Sequence, residues 1–222
     1  MSAPQAVETF EVIVGYQPHQ EIFTVPRDLL MRRSDLFKTV LSPRWSWFTR
    51  HSSLKPVDLS EEYPDTFASY LDCALQDFVV PKPRMEGGVQ RYDPLIELYT
   101  LAEHLLDFTT ADLVIDKIIS SVHEKLLLPG LQDIELIYAT TVEGSPLRRL
   151  VVDYCVFSET GGLSGPKENH PHEYLGDVVE KHMALKDVPI KDAYRSHPDN
   201  KADYHRAANA NLMDKVFFAV QF

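Results

Sequence analysis

Two consecutive stretches, EIFTVPRDLLMRRSDLFKTVL (residues 21–41) and PVDLSEEYPDTFASYLDCAL (residues 56–75), decide the fold class of this chain. The first opens as a half-buried strand, in which successive side chains leave opposite faces. Just upstream, Phe10, Val12 and Val14 alternate in the same way, and Tyr16-Gln17-Pro18 supplies a turn before Ile22 and Val25, so a hairpin is expected. After Pro26 the period becomes helical. Leu29, Leu30, Arg33, Leu36, Phe37, Val40 and Leu41 share a stripe, with Arg32, Ser34, Asp35 and Lys38 largely off it, as two short helices or one bent helix. Val57 and Leu59 flank Asp58 as a brief strand, and Pro64 opens a helix presenting Phe67, Tyr70, Leu71 and Leu75 on one side.

Working outward, Phe78-Val79-Val80 reads as a short strand, followed by a loop that Pro81-Lys82-Pro83 and Gly87-Gly88 carry to about Asp93. A helix starting near Pro94 buries Leu95, Leu98, Tyr99, Ala102, Leu105 and Leu106. Thr109, with Asp112 three residues on, fits the start of a further helix whose apolar stripe is Val114, Ile115, Ile118, Ile119, Val122 and Leu126. Pro129-Gly130 ends it. A short helix around Ile134, Ile137 and Tyr138 follows, and Ser145-Pro146 begins another that buries Leu147, Leu150, Val151, Tyr154 and Phe157 before Gly161-Gly162. Residues 159–200 are rich in glycine, proline and charge, with a modest helical signal over 174–185; helical spacing returns from about Ala202 through Tyr204, Ala208, Leu212, Val216 and Phe217. The expected fold is therefore α+β, with a small sheet flanked by α-helices. The chain divides into a domain over 8–158 and a partly ordered tail over 159–222 with a terminal helix.

This order of elements resembles the BTB/POZ domain. The matching residues are the strand-to-helix run from Phe23 to Phe37, the V-D-L strand at 57–59, the Pro64, Phe67, Tyr70-Leu71 helix, and LIELYTLAEHLLDFTTADLVIDKIISSV (95–122). YATTVEGSPLRRLVVDY (138–154) looks like the C-terminal helical extension of fungal-type members, so the resemblance covers residues 8–158. It implies protein–protein interaction by homo- or hetero-oligomerisation, self-association first, and service as an adaptor, with a cullin scaffold of a ubiquitin ligase as a family-level partner. Many members carry a His-Lys pair before the first helix where this chain has Pro26-Arg27, and no charged-pocket role is carried over to those two positions.

Composition narrows the function from the other side. The hydrophobic fraction of 44% and aromatic fraction of 10% are those of an ordinary globular chain. No apolar run approaches the roughly 20 residues a bilayer requires, and MSAPQAVETF lacks the regions of a secretory signal, so an intracellular address, cytoplasm or nucleus, is expected with no membrane partner. Cys73 and Cys155 are expected as buried thiols rather than a bridge. A net charge of −11 opposes general attraction to nucleic acid. Locally, residues 27–55 hold seven lysines and arginines against two acids, whereas residues 85–145 hold eleven acids against three bases. The basic segment 27–50 keeps a chromatin or nucleic-acid-associated regulator in view as an alternative.

Motifs for chemistry are absent: there is no G-x-x-x-x-G-K-[ST], G-x-G-x-x-G or G-x-S-x-G, and the Gly161-Gly165 run follows a helix without a lysine, as a hinge. His170, His172, His182, His197 and His205 gather in the tail, but their spacing matches no closed metal site. A metal-dependent enzyme built on them is the remaining alternative. No catalytic residue, cofactor or metal ligand is assigned, and the chain reads as a non-enzyme. The candidates for an interaction face are Leu29, Leu30, Arg33, Leu36, Phe37, Trp45 and Trp47; the competing readings are ordinary core packing for the leucines and Phe37, a solvated helix charge for Arg33, and core or loop anchoring or stacking on nucleic-acid bases for the tryptophans.

Overall fold

A computed structural model of the chain describes residues 7–41, 57–125, 127–157, 167–186, 188, 198 and 200–206. It is mixed α+β and mostly helical. Among the described residues there are five strands and eight α-helices: β1 (Thr9–Val14), β2 (Glu21–Pro26), α1 (Arg27–Arg33), α2 (Asp35–Val40), β3 (Val57–Leu59), α3 (Pro64–Gln76), β4 (Arg84–Glu86), β5 (Val89–Arg91), α4 (Asp93–His104), α5 (Phe108–Lys125), α6 (Leu131–Thr140), α7 (Pro146–Phe157) and α8 (His172–Leu185). Short 3₁₀ turns lie at Lys167–Asn169 and Lys201–Tyr204. No helix among these residues is long and apolar enough to cross a membrane. The contacts divide the chain into two compact units, one of residues up to Val80 with Glu97–Ala111, the other of Pro81–Ile96 with the residues from Asp112 onward.

The first unit is built on the expected hairpin. β1 pairs antiparallel with β2 and parallel with β3, giving the order β2-β1-β3. The register sets Phe10 opposite Val25 and Val12 opposite Phe23, and Phe10, Val12, Val14 and Val25 are all buried. Ile22 does not join them. It stands opposite Ile13, on the other face, and is 63% exposed, because a side-chain period of two separates it from Val25. Gly15, at φ +78°, ends β1 where any side chain would meet Pro64 Cγ at 3.1 Å, so the hairpin turn lies against the start of α3. Phe23 then meets Phe67 edge-on at 5.0 Å between ring centroids, and Phe67 stacks on Tyr70 at 5.9 Å.

The helical run after Pro26 is two helices rather than one bent helix. Ser34 is extended between them and accepts the Phe37 N–H at 3.1 Å as the cap of α2, while its hydroxyl donates to the Leu105 carbonyl. Leu30, Phe37, Phe67 and Tyr70 fill the interior with no exposed surface. Leu75 falls off the expected buried side of α3 and is 60% exposed; Thr66, Cys73 and Ala74 take the inward positions.

The expected strand at 78–80, at the end of the first unit's leading segment, is not formed. In the second unit the expected loop before Asp93 carries a hairpin, β4 with β5, joined by Gly87-Gly88 at φ +57° and +83°. α5 is capped by Asp107 rather than Thr109: the Thr110 N–H donates to Asp107 Oδ1 at 3.0 Å. That cap and the first turn of α5 lie in the first unit, and the stripe Val114, Ile115, Ile118, Ile119 and Val122 is buried in the second. α6 and α7 form where expected, α8 spans the modest signal at 174–185, and α8 packs on both α6 and α7. Phe157 is half-buried rather than core. Leu126, the 161–165 hinge and the terminal helix beyond residue 206 lie outside the described residues.

Candidate association surface

Leu29, Leu30 and Phe37, expected either in the core or on an association face, are buried inside the first unit, and Leu36 is half-buried. An outward contact cannot use the three buried side chains. Arg33 is also turned inward, its side chain 8% exposed. It donates from Nε to Asp107 Oδ2 at 3.3 Å, from Nη2 to the Thr110 hydroxyl at 2.9 Å, and from Nη1 to Asp77. Asp107 has no exposed surface, so this guanidinium neutralises a buried carboxylate rather than addressing a partner. Arg27 is bound likewise, to Glu8 at 2.8 Å and to the Leu41 carbonyl at 2.6 Å. Trp45 and Trp47 lie outside the described residues.

The apolar side chains that do face outward on the first unit are others. Leu75 at the end of α3, then Phe78 and Val80, are 60%, 58% and 45% exposed. Asp77 makes this possible: at φ +51° it takes the left-handed conformation that ends α3, so the chain after it leaves the helix path and Phe78 is not carried onto the inner face. Tyr16 and Tyr63, the chain neighbours of the Gly15–Pro64 contact, are 68% and 64% exposed. Beside Tyr63, Glu62 accepts from His104 Nδ1 at 2.8 Å, and this bond holds the imidazolium above its ordinary pKa against the opposing effect of partial burial. Sequence patterning missed these residues because Leu75 sits at a helical position and Phe78-Val79-Val80 looks like a strand; the available signal was Asp77, a residue type that tolerates the left-handed conformation of a helix end.

Two buried ionisable groups of the second unit, Arg148 and Asp133, serve packing. Arg148, 7% exposed, donates to the Thr141 hydroxyl at 3.1 Å, the Tyr138 carbonyl at 2.8 Å and Glu173 at 2.6 Å, and lies 4.4 Å over the Tyr138 ring. It thereby satisfies the end of α6 and ties α6, α7 and α8 together. Asp133 accepts the Gly130 N–H and the Tyr92 N–H, both at 2.9 Å; burial raises its pKa while those bonds and Arg91 act the other way. A cleft of about 860 Å³ opens between α7 and α8, lined among others by Arg149, Asp153, Asp177, Lys181 and Tyr204.

The tail histidines do not converge. His170 is buried and stacked on Tyr174 at 5.6 Å, His172 and His182 are exposed on α8, His205 meets Asp116, and His197 lies outside the described residues. Among the described residues, no group of three or more His, Cys, Asp or Glu side chains is placed to hold a metal ion. Cys73 and Cys155 are buried thiols, and burial pushes the Cys73 thiol up. Comparison of the chain with protein-family models and with curated proteins finds no match.

Proposed function

We propose that this chain is a protein–protein association module of the BTB/POZ kind, working by self-association through apolar contact. The observation that carries the reading is the exposed group Leu75, Phe78 and Val80, contiguous in sequence with a helix whose Phe67, Tyr70, Cys73 and Ala74 are buried. Apolar side chains left outside together mark a contact surface. The three-stranded sheet of mixed pairing, the short α1–α2 pair and the α4–α5 pair support the finer family reading, since they follow the order on which the resemblance rests. The nucleic-acid reading draws less support, because Arg27 and Arg33, two of the cations in segment 27–50, are bound to Glu8, Asp77 and Asp107.

Light scattering of the full chain over a concentration series tests the proposal, with Phe78→Glu and Leu75→Glu as paired variants. A mass that rises with concentration in the wild type and stays at that of one chain in both variants is the expected result. A wild-type chain of constant monomer mass at every concentration sinks it.

A further inference from the structure

We propose that the face of the second unit formed by α5, α7 and α8 is a peptide-docking groove, filled in cis by residues 201–206, and that it takes in trans a partner peptide of the same chemistry: a tyrosine with a lysine three residues before it and a histidine directly after. This site is on a different unit from Leu75 and Phe78 and does not rest on the self-association reading.

The segment KADYHR is held by the groove rather than by itself. Its backbone closes only a single short 3₁₀ turn, bounded by Asp203 N–H to the Asn200 carbonyl at 3.1 Å and His205 N–H to the Ala202 carbonyl at 3.3 Å. Asp112, Asp116 and Ser120 fall four residues apart on α5 and so form one ridge. The segment runs back along that ridge: Lys201 Nζ donates to Ser120 Oγ at 3.2 Å and lies 4.0 Å from Asp116, His205 Nε2 lies 2.9 Å from Asp116 Oδ1, and the Arg206 N–H donates to Asp112 Oδ1 at 2.9 Å. Tyr204 turns the other way, into α7. Its ring is 2% exposed and its hydroxyl donates to Asp153 Oδ2 at 2.7 Å, with Lys181 of α8 at 2.8 Å from the other carboxylate oxygen. A buried tyrosine anchor, a carboxylate aimed at its hydroxyl, a second carboxylate, Asp116, facing two basic side chains, and a third, Asp112, taking a backbone N–H are the parts of a peptide-recognition site. The adjoining cleft, with Ala202, Asp203 and Tyr204 in its wall, gives a longer peptide room beyond the anchor.

A tethered segment competes at an effective concentration on the order of millimolar, so a peptide in trans binds well only when the cis segment is displaced. The test is fluorescence anisotropy of a labelled PDNKADYHRAA peptide, the sequence of residues 198–208, titrated with full-length chains: wild type, Tyr204→Ala, and the double variant Lys201→Glu with His205→Glu. Both opened variants should bind at least tenfold more tightly than the wild type, the same peptide with alanine in place of its tyrosine should not bind, and adding Asp116→Lys to an opened chain should weaken binding at least tenfold. Opened variants with wild-type circular dichroism that bind no peptide, or equal binding by all chains, would overturn the proposal. The double variant leaves the tyrosine anchor in place and decides the matter if Tyr204→Ala does not fold. A wild-type dimer that excess peptide returns to monomer would overturn the partner peptide as occupant in favour of residues 201–206 of a second copy.

Discussion

Asp107 joins two demands in one buried carboxylate. Its Oδ1 caps α5 through the Thr110 N–H, and its Oδ2 takes the Thr110 hydroxyl at 2.7 Å and the Arg33 guanidinium. Asp107→Ala removes a cap worth roughly 1 kcal/mol and leaves Arg33 buried with only the largely exposed Asp77 as a charged partner. A total loss of about 3 kcal/mol is expected in urea unfolding, with Asp107→Asn falling between the alanine variant and the wild type. His104 gives the pH dependence. Because the Glu62 bond raises its folded-state pKa, the stability this pair contributes is complete below the ordinary histidine value of about 6.5 and is lost as pH rises through the folded value. With the imidazole more than half exposed, the contribution stays below about 1 kcal/mol. An NMR titration of His104 should show its midpoint fall in Glu62→Gln; an unchanged midpoint refutes the assignment.

At the scale of elements, ends proved harder to read than middles. The stripes of α4, α5, α6 and α7 were legible because each repeats an apolar residue every three or four positions over several turns. The joint between α4 and α5 was not. Leu106 N–H bonds to the Glu103 carbonyl at 3.0 Å and Asp107 N–H to the Ala102 carbonyl at 2.8 Å, a helix-ending motif that sets Leu106 at φ +55°, where glycine is the usual occupant. With leucine there, nothing in the local sequence announces the turn. The β4–β5 hairpin was concealed for the opposite reason, since Gly87-Gly88 marked a turn but three-residue strands with exposed β4 side chains carry no apolar alternation. The pair's positive φ angles fit a two-residue turn that favours glycine. Gly88→Val should therefore destabilise the hairpin by about 1 to 2 kcal/mol, seen as faster amide exchange at Arg84–Glu86 and Val89–Arg91. Gly87→Asn should be tolerated.

For the molecule as a whole, association is expected to depend on a small number of side chains. Burying Leu75 and Phe78 in a partner contributes about 1.5 to 3 kcal/mol each, so a glutamate at either position should weaken self-association by tenfold or more while leaving the unfolding midpoint within a few degrees. The sequence by itself determined the α+β class, the hairpin, the helical stripes and the lack of phosphate-loop or nucleophile motifs, because periodicity and the stiffness of proline and glycine act within a few residues. Only the tertiary structure decided which apolar residues remain outside and which charges go inside. Leu30 and Leu75 are the same residue type on similar helices, yet one has no exposed surface and the other is 60% exposed. Arg33 and Arg148 are buried because Asp107 and the carbonyl end of α6 are brought to them from 74 and 7 to 10 residues away. Whether a side chain meets water or a partner depends on what distant segments place beside it, and no local pattern carries that information.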